Sequence, residues 1–175
     1  KRGGRGKQAA GTKDDDWIEQ LFIANTHDYI LCFSNRGRMY WLKVWEVPQG
    51  SRTSRGKPIV NMFPLQEGEK VTVVLPLFGE DSEFPEDRYV FMATSHGVVK
   101  KTSLSDFSNP RKAGIIAVDL DEGDFLIGAS LTNGGNDVML FSDAGKAVRF
   151  DESDVRPMGR TARGVRGMNL EDGQL

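Results

Sequence analysis

Short apolar runs alternate with polar turns along this chain, and three of the turns end in glycine. Each of these turns follows a run of strand length, such as Tyr29 to Phe33, and precedes a second run, such as Arg38 to Val44. Glycine supplies the positive φ angle that tight turns need, so the pattern predicts three β-hairpins. The turns are Phe33-Ser34-Asn35-Arg36-Gly37, Ala93-Thr94-Ser95-His96-Gly97 and Phe141-Ser142-Asp143-Ala144-Gly145.

The repeat continues beyond each hairpin. An acidic–apolar pair comes nine and ten residues after the turn glycine, as at Asp106-Phe107, and a Leu-x-acid-Gly segment follows, as at Leu120 to Gly123. A further strand is expected after that segment, at Lys70 to Leu75 and at Phe125 to Leu131. The turn glycines lie 60 residues (37 to 97) and 48 residues (97 to 145) apart, so one unit recurs with loops of different length.

Four short strands in roughly 50 residues are typical of a propeller-type blade. No stretch keeps a 3.6-residue apolar period, so we expect an all-β fold with very little helix. We place three blade repeats at 17–78, 79–135 and 136–175, the third incomplete, after a basic segment and acidic linker at 1–16. Because each blade buries its faces against its neighbours, all of this forms one domain, and it has the pattern of a fragment of a longer array.

Composition places the chain among globular proteins. It has 175 residues, and 38% of them are hydrophobic. Its apolar runs are far shorter than the roughly 20 residues of a membrane-spanning helix. No apolar stretch follows the basic N-terminus as it would in a signal peptide. The single cysteine, Cys32, lies in an apolar strand pattern, which fits a cytoplasmic protein with no membrane partner.

The formal net charge is −2, but acids and bases are segregated along the chain. Acids cluster at 14–16, 80–87 and 119–124. Bases recur in every repeat between the acidic–apolar pair and the Leu-x-acid-Gly segment. One such cluster is usually a solvated face, but a random surface does not return to the same position three times. Since the local field governs binding, the recurrence predicts a basic arc along one rim.

The N-terminus matches the same basic loop. At an offset of 50, residues 2–7 align with residues 52–57 at Arg, Arg, Gly and Lys. Lys100 and Lys101, and Lys146 with Arg149, lie in or near second hairpin strands and could extend the arc. The predicted DNA-binding residues are Lys1, Arg2, Gly3, Gly4, Arg5, Gly6, Lys7, Arg52, Arg55, Lys57, Lys100, Lys101, Arg111, Lys112, Arg160, Arg163 and Arg166.

An arc of bases suits a curved duplex, because DNA carries about one charge per 1.7 Å of helix axis. Bending a site of 20–30 bp costs roughly 1–6 kcal/mol, which contacts spread along the bend must offset. The sequence shows neither a recognition helix nor a row of stacking aromatic residues. We therefore expect binding to double-stranded DNA through its backbone, with weak sequence preference.

No catalytic residue, metal site or cofactor is expected in this chain. Tyr29, Tyr40 and Tyr89 lie in strand patterns, where core packing is far commoner than a DNA-cleaving nucleophile. One cysteine and two scattered histidines do not make a structural zinc site. A rival interpretation is a propeller-like scaffold for protein partners, which should expose an apolar patch in place of a basic rim.

The segment Lys1-Arg2-Gly3-Gly4-Arg5-Gly6 resembles the gyrase-A box, Gln-(Arg/Lys)-Arg-Gly-Gly-(Arg/Lys)-Gly, of the C-terminal domain of the bacterial DNA gyrase A protein. Segments 55–61, 87–94 and 162–168 are similar to blades of the same family, so the resemblance covers nearly the whole chain. It implies a β-pinwheel, in which neighbouring blades exchange strands, and about half of a domain of about six blades.

The resemblance also implies a role. Such a domain wraps DNA in a positive sense, so that ATP-driven strand passage introduces negative supercoils. ATP, the catalytic tyrosine and magnesium belong to other parts of that enzyme, an A2B2 assembly of gyrase A and gyrase B in the bacterial cytoplasm, at the nucleoid. The homologous domain of topoisomerase IV binds DNA but lacks the intact box, so Lys1 to Gly6 favours gyrase.

Overall fold

The computed structural model describes residues 29–43 and 63–168. Over these ranges the chain forms β-strands and three short 3-10 helices, and no helix there is long and apolar enough to cross a membrane. The 3-10 helices are Gly79–Glu83, Leu104–Phe107 and Glu152–Asp154. The strands are β1 (Tyr29–Ser34), β2 (Arg38–Lys43), β3 (Val71–Pro76), β4 (Tyr89–Thr94), β5 (Val98–Ser103), β6 (Ile115–Ile116), β7 (Leu126–Thr132), β8 (Asp137–Phe141), β9 (Ala147–Asp151) and β10 (Val165–Arg166).

The strands form two four-stranded antiparallel sheets and one hairpin. The first sheet has the order β3-β1-β2-β6, the second has the order β10-β5-β4-β7, and β8 pairs with β9. The fourth strand of each four-stranded sheet comes from the following repeat, since β6 lies beyond β5 and β10 lies beyond β9. The all-β fold and the exchange of strands between neighbouring blades are therefore confirmed.

The three predicted hairpin turns are present and share one construction. Their glycines have φ angles of 78°, 82° and 82° at Gly37, Gly97 and Gly145, which only glycine adopts without strain. The hydroxyl that opens each turn accepts a hydrogen bond from the residue that follows the glycine. These bonds run from the backbone N–H of Arg38, Val98 and Lys146 to Ser34 Oγ, Thr94 Oγ1 and Ser142 Oγ, over 3.3, 3.2 and 3.1 Å.

Apolar side chains from the first two sheets meet in one core. Phe33 of β1 and Phe107 of the second 3-10 helix pack edge to face with ring centroids 6.2 Å apart, and both are fully buried. Burying such a side chain contributes about 1.5–3 kcal/mol, so this contact does much to fix the two blades relative to each other. A second cluster, around Phe91, Val99 and Val155, joins the second sheet to the β8–β9 hairpin.

Candidate nucleic-acid interface

Both basic loops within the described residues lie along the preceding sheet. The loop that contains Arg111 and Lys112 ends in β6, whose residues Ile115 and Ile116 pair with Met39 and Arg38 of β2. In the next repeat, the loop from Gly159 to Gly164 ends in β10, whose residues pair with β5 in the same way. The two loops therefore occupy equivalent positions at the outer edges of successive sheets.

A glycine lets each loop pass close to the strand beneath it. Gly114 has φ of 73°, and a β-carbon there would lie 2.6 Å from the ring of Tyr40. Gly164 has φ of 100°, and a β-carbon there would lie 2.5 Å from the carbonyl oxygen of Val99. Only glycine combines these φ angles with such a close approach to the strand. The glycine beside the bases is therefore required by the path of the loop.

Hydrogen bonds then fasten the end of each loop to the hairpin turn of the preceding blade. The carbonyl of Gly37 accepts from the N–H groups of Ala117 and Val118, over 2.8 and 3.2 Å. The carbonyl of Gly97 accepts in the same way from the two residues that follow β10, over 2.8 and 3.1 Å. The repeated bonds show that one geometry places both loops.

The bases of these loops differ in their surroundings. Arg111, Lys112, Arg163 and Arg166 are exposed, and Arg160 is half-buried. The guanidinium of Arg163 also forms ion pairs, each 3.2 Å long, with carboxylates of the preceding repeat at Asp119 and Asp121. Pairs this exposed stabilise a fold by at most about 1 kcal/mol, so a phosphate could replace these carboxylates as the partner of Arg163.

Lys100 and Lys101 do not extend an exposed arc, and that expectation is wrong. Their side chains are only 1% and 4% exposed, because the next repeat covers β5. The Nζ of Lys101 donates to the carbonyl of Glu152 over 3.1 Å and lies 4.8 Å from the ring centre of Tyr89. Lys146 and Arg149 are exposed, and Arg149 is paired with Asp137.

A cleft of about 540 Å³ lies beside the first of these loops. Tyr29 and Trp41 contribute aromatic faces to it, and Lys43, Arg111 and Lys112 contribute positive charge. The Nζ of Lys43 lies 5.6 Å from the ring centre of Tyr29. This combination of rings and cations at the outer edge was not predicted, because the sequence does not bring strand and loop residues together.

Two buried carboxylates form hydrogen bonds with the hairpin turns. They were not predicted from the sequence. Glu69 accepts hydrogen bonds from Ser34 Oγ over 2.6 Å and from the Tyr40 hydroxyl over 3.0 Å. Asp124 accepts from Ser95 Oγ over 2.8 Å and from the N–H of His96 over 2.9 Å. Both acids directly follow the glycine of a Leu-x-acid-Gly segment, so their shared position was an available signal.

The remaining predicted site residues lie outside the described residues. Among the residues that the structure does describe, no three histidine, cysteine or acidic side chains lie together as metal ligands would. The predicted residues outside the described ranges are Lys1, Arg2, Gly3, Gly4, Arg5, Gly6, Lys7, Arg52, Arg55 and Lys57.

Comparison with known proteins identifies the fold and the family. A family model described as the DNA gyrase C-terminal domain, a β-propeller, matches residues 1–25, 28–77, 88–133 and 136–175. Among solved structures, the C-terminal domain of DNA topoisomerase IV superposes with a TM-score of 0.76 at 32% identity, over 86% of this chain and 46% of that one. The DNA gyrase A C-terminal domain superposes with a TM-score of 0.68 at 28% identity, over 87% and 47%.

Sequence relatives agree. The DNA gyrase A protein of Salmonella typhimurium strain LT2 is 58% identical over 97% of this chain, and the match spans 19% of that relative. The DNA gyrase A protein of Pseudomonas aeruginosa is 46% identical over 99% of this chain and 23% of its own length. The chain thus spans about a fifth of the length of these relatives. With four matched segments over most of its length, this chain belongs to the DNA gyrase C-terminal domain family.

Proposed function

We propose that this chain binds duplex DNA along the outer edges of successive blades and bends it. The observation that carries the proposal is the equivalent placement of two basic loops, each ending in a short strand that pairs with β2 or β5 of the preceding sheet. A repeated rotation between blades turns such loops into an arc. Phosphate contacts spread over an arc can hold a curved duplex, whereas one cluster can hold only a point on it.

The charge of the loops supports contacts to the DNA backbone. Arg111, Lys112 and Arg166 are exposed on an outer edge, although the whole chain has a formal net charge of −2. In the described ranges no α-helix is available to enter a major groove. Affinity should therefore come from phosphate neutralisation and depend little on base sequence.

We further propose that the chain is the non-catalytic DNA-wrapping domain of a DNA gyrase, a type II topoisomerase. In that enzyme, wrapping of DNA in a positive sense would let ATP-driven strand passage introduce negative supercoils. ATP hydrolysis, the magnesium-dependent cleavage and the remaining parts of gyrase A and gyrase B would lie outside this chain, in an A2B2 enzyme of the bacterial cytoplasm. The box-like segment Lys1 to Lys7 supports gyrase over topoisomerase IV.

The rim is tested by neutralising the loop of the second repeat. In the complete protein, Arg111→Gln with Lys112→Gln should weaken binding to all duplex sequences alike. For each phosphate contact removed, the slope of the logarithm of the binding constant against the logarithm of the salt concentration should become less steep by roughly 0.9. Lys70→Gln is the control, because Lys70 is exposed and follows a Leu-x-acid-Gly segment instead of lying in a basic loop. A loss confined to one DNA sequence, or equal effects of the two variants, contradicts the proposed rim.

The role in supercoiling is tested at the N-terminal segment. Replacing Arg2 to Lys7 with alanine in the complete enzyme should abolish negative supercoiling, because an end loop that releases DNA shortens the arc. Relaxation and decatenation should persist. Topoisomer gels decide the matter, and unchanged supercoiling by the variant refutes the role of this segment. A wild-type enzyme that relaxes and decatenates DNA but never introduces negative supercoils would instead indicate topoisomerase IV.

A further inference from the structure

Lys100 is a buried cation in β5, which lies between β10 and β4 in its sheet. It lies in the middle of β5 and is only 1% exposed. Its Nζ donates hydrogen bonds to two backbone carbonyls, that of Ala117 over 2.6 Å and that of Arg160 over 2.5 Å. The first carbonyl follows β6, and the second belongs to the basic loop of the third repeat. One ammonium group therefore joins two segments that are distant in sequence.

An ammonium in such a place is unfavourable unless its surroundings compensate it. Burial, and to a smaller extent the charge of Arg160, lowers the pKa of Lys100 from 10.5 to about 8. The carboxylates of Asp106 and Asp119 act in the opposite direction. Because Lys100 remains mostly protonated at neutral pH, its two carbonyl bonds are charge-assisted, which makes them stronger than bonds from a neutral donor.

The first repeat fastens its neighbouring loop in a comparable way. The Nη2 of Arg38, in β2, donates to the carbonyl of Ala113 over 2.8 Å. Ala113 lies one residue before Gly114, and Arg160, whose carbonyl Lys100 binds, lies four residues before Gly164, so the two contacts hold different points of their loops. In both blades a cationic side chain of the strand that the loop lies on, β2 or β5, thus holds the backbone of that basic loop.

We propose that Lys100, with Arg38 in the preceding blade, is a positioning residue for DNA binding. Lys100 is too deeply buried to contact a phosphate itself. It fixes the backbone from which Arg160, Arg163 and Arg166 project, so that these three bases meet the duplex together. This inference rests on the proposed function of the rim, and it adds that β2 and β5, through the side chains of Arg38 and Lys100, set where the rim lies.

The test compares a buried lysine with an exposed one in the complete protein. Lys100→Met keeps an unbranched side chain, one heavy atom shorter than lysine, and removes the charge and the donors. It should speed amide exchange in residues 160–167 and flatten the salt dependence of duplex binding by clearly more than the roughly 0.9 expected for one contact. Lys112→Met is the matched control, which should flatten the slope by about 0.9 and leave amide exchange in its loop unchanged.

The outcomes separate the two ideas. If Lys100→Met leaves loop exchange unchanged, or flattens the slope no more than Lys112→Met does, the positioning role is overturned. If amide exchange in residues 160–167 rises but neither variant alters the salt dependence of duplex binding, the proposed rim is overturned. Only the role of Lys100 in holding the loop then stands. Amide protection of β4 reports whether the blade stays folded. Should Lys100→Met unfold it, Arg38→Met makes the same comparison in the first blade, where the half-exposed Arg38 tolerates replacement more readily.

Discussion

Replacing Gly114 with alanine tests whether the basic loop that contains Arg111 and Lys112 depends on its close passage over β2. The added methyl would lie 2.6 and 2.7 Å from two atoms of the Tyr40 ring and 2.9 Å from the carbonyl oxygen of Met39. Gly123→Ala is the matched control. Gly123 has φ of 78°, close to the 73° of Gly114, but a β-carbon at Gly123 meets no atom within 4 Å. The two substitutions thus share their backbone strain and differ in their contacts.

The difference in stability follows from those contacts. A β-carbon at positive φ costs roughly 1–2 kcal/mol at either site. The lower entropy of the unfolded chain returns about 0.4–1 kcal/mol at both. Only at Gly114 must a ring move, and Tyr40 is stacked on Phe63 at 5.1 Å while its hydroxyl binds Glu69. Overpacking of this kind costs about 1–3 kcal/mol, which is the expected difference between the two variants.

Equilibrium unfolding of the chain in urea, followed by far-UV circular dichroism, measures this difference. With a slope m of about 1–3 kcal/mol/M, the midpoint of Gly114→Ala should fall below that of Gly123→Ala by on the order of 1 M. Similar slopes for the two variants are needed for the comparison. Coincident midpoints would refute the reasoning. The Tyr40 ring would then move aside without loss of stability, and Gly114 would be needed only for its positive φ angle.

Three further predictions concern buried ionisable groups. Glu69→Gln removes the carboxylate that accepts hydrogen bonds from a turn hydroxyl and a tyrosine, so it should lower the unfolding free energy by about 1–3 kcal/mol. The same substitution at the exposed Glu67 should lower the unfolding free energy by less than about 0.5 kcal/mol. Equal losses of thermal stability in the two variants would contradict this expectation. Because Lys100 has a pKa of about 8 in the fold and 10.5 as its ordinary value, the unfolded chain binds more protons between these values. The unfolding free energy of the wild type should therefore rise with pH relative to that of Lys100→Met, by up to about 1.4 kcal/mol per pH unit. Urea unfolding at several pH values measures both, and an unchanged difference between the two proteins across this window would contradict the expectation. Burial raises the pKa of the Cys32 thiol to about 12, so iodoacetamide should label Cys32 only after unfolding, and rapid labelling of the folded chain would show that the thiol is accessible.

The hairpins could be predicted from the sequence because their determinants are local. A turn glycine such as Gly97 and the apolar runs on either side of it lie within about a dozen residues. The two-residue strands β6 and β10 could not be predicted. Each follows a glycine and pairs with a strand more than sixty residues earlier, as Ile116 does with Arg38. No periodicity can develop in two residues, so only the resemblance to a known family implied the exchange of strands.

The basic rim was predicted in part, for a related reason. Arg111 and Lys112 belong to a loop, and loop residues commonly face solvent. Lys100 and Lys101 belong to a strand whose two faces are both covered, which the burial of four consecutive residues in β5 makes plain. Adjacent side chains of a strand point to opposite faces of the sheet. Two adjacent lysines therefore suggest a strand that is exposed on both faces. Here the following repeat covers the edge, and the sequence of the strand alone does not reveal that cover.

The exchange of strands has a consequence for synthesis on the ribosome. The outer edge of β2, which ends at Lys43, stays unpaired until Ile115 has been made, and that of β5, which ends at Ser103, until Val165 has been made. At about 5–20 residues per second, each edge waits for several seconds. An unpaired edge is a template for association with other chains. From the synthesis of β2 until Val165 has been made, the nascent protein therefore carries at least one unpaired edge, and its risk of aggregation should depend on how fast the next repeat is translated.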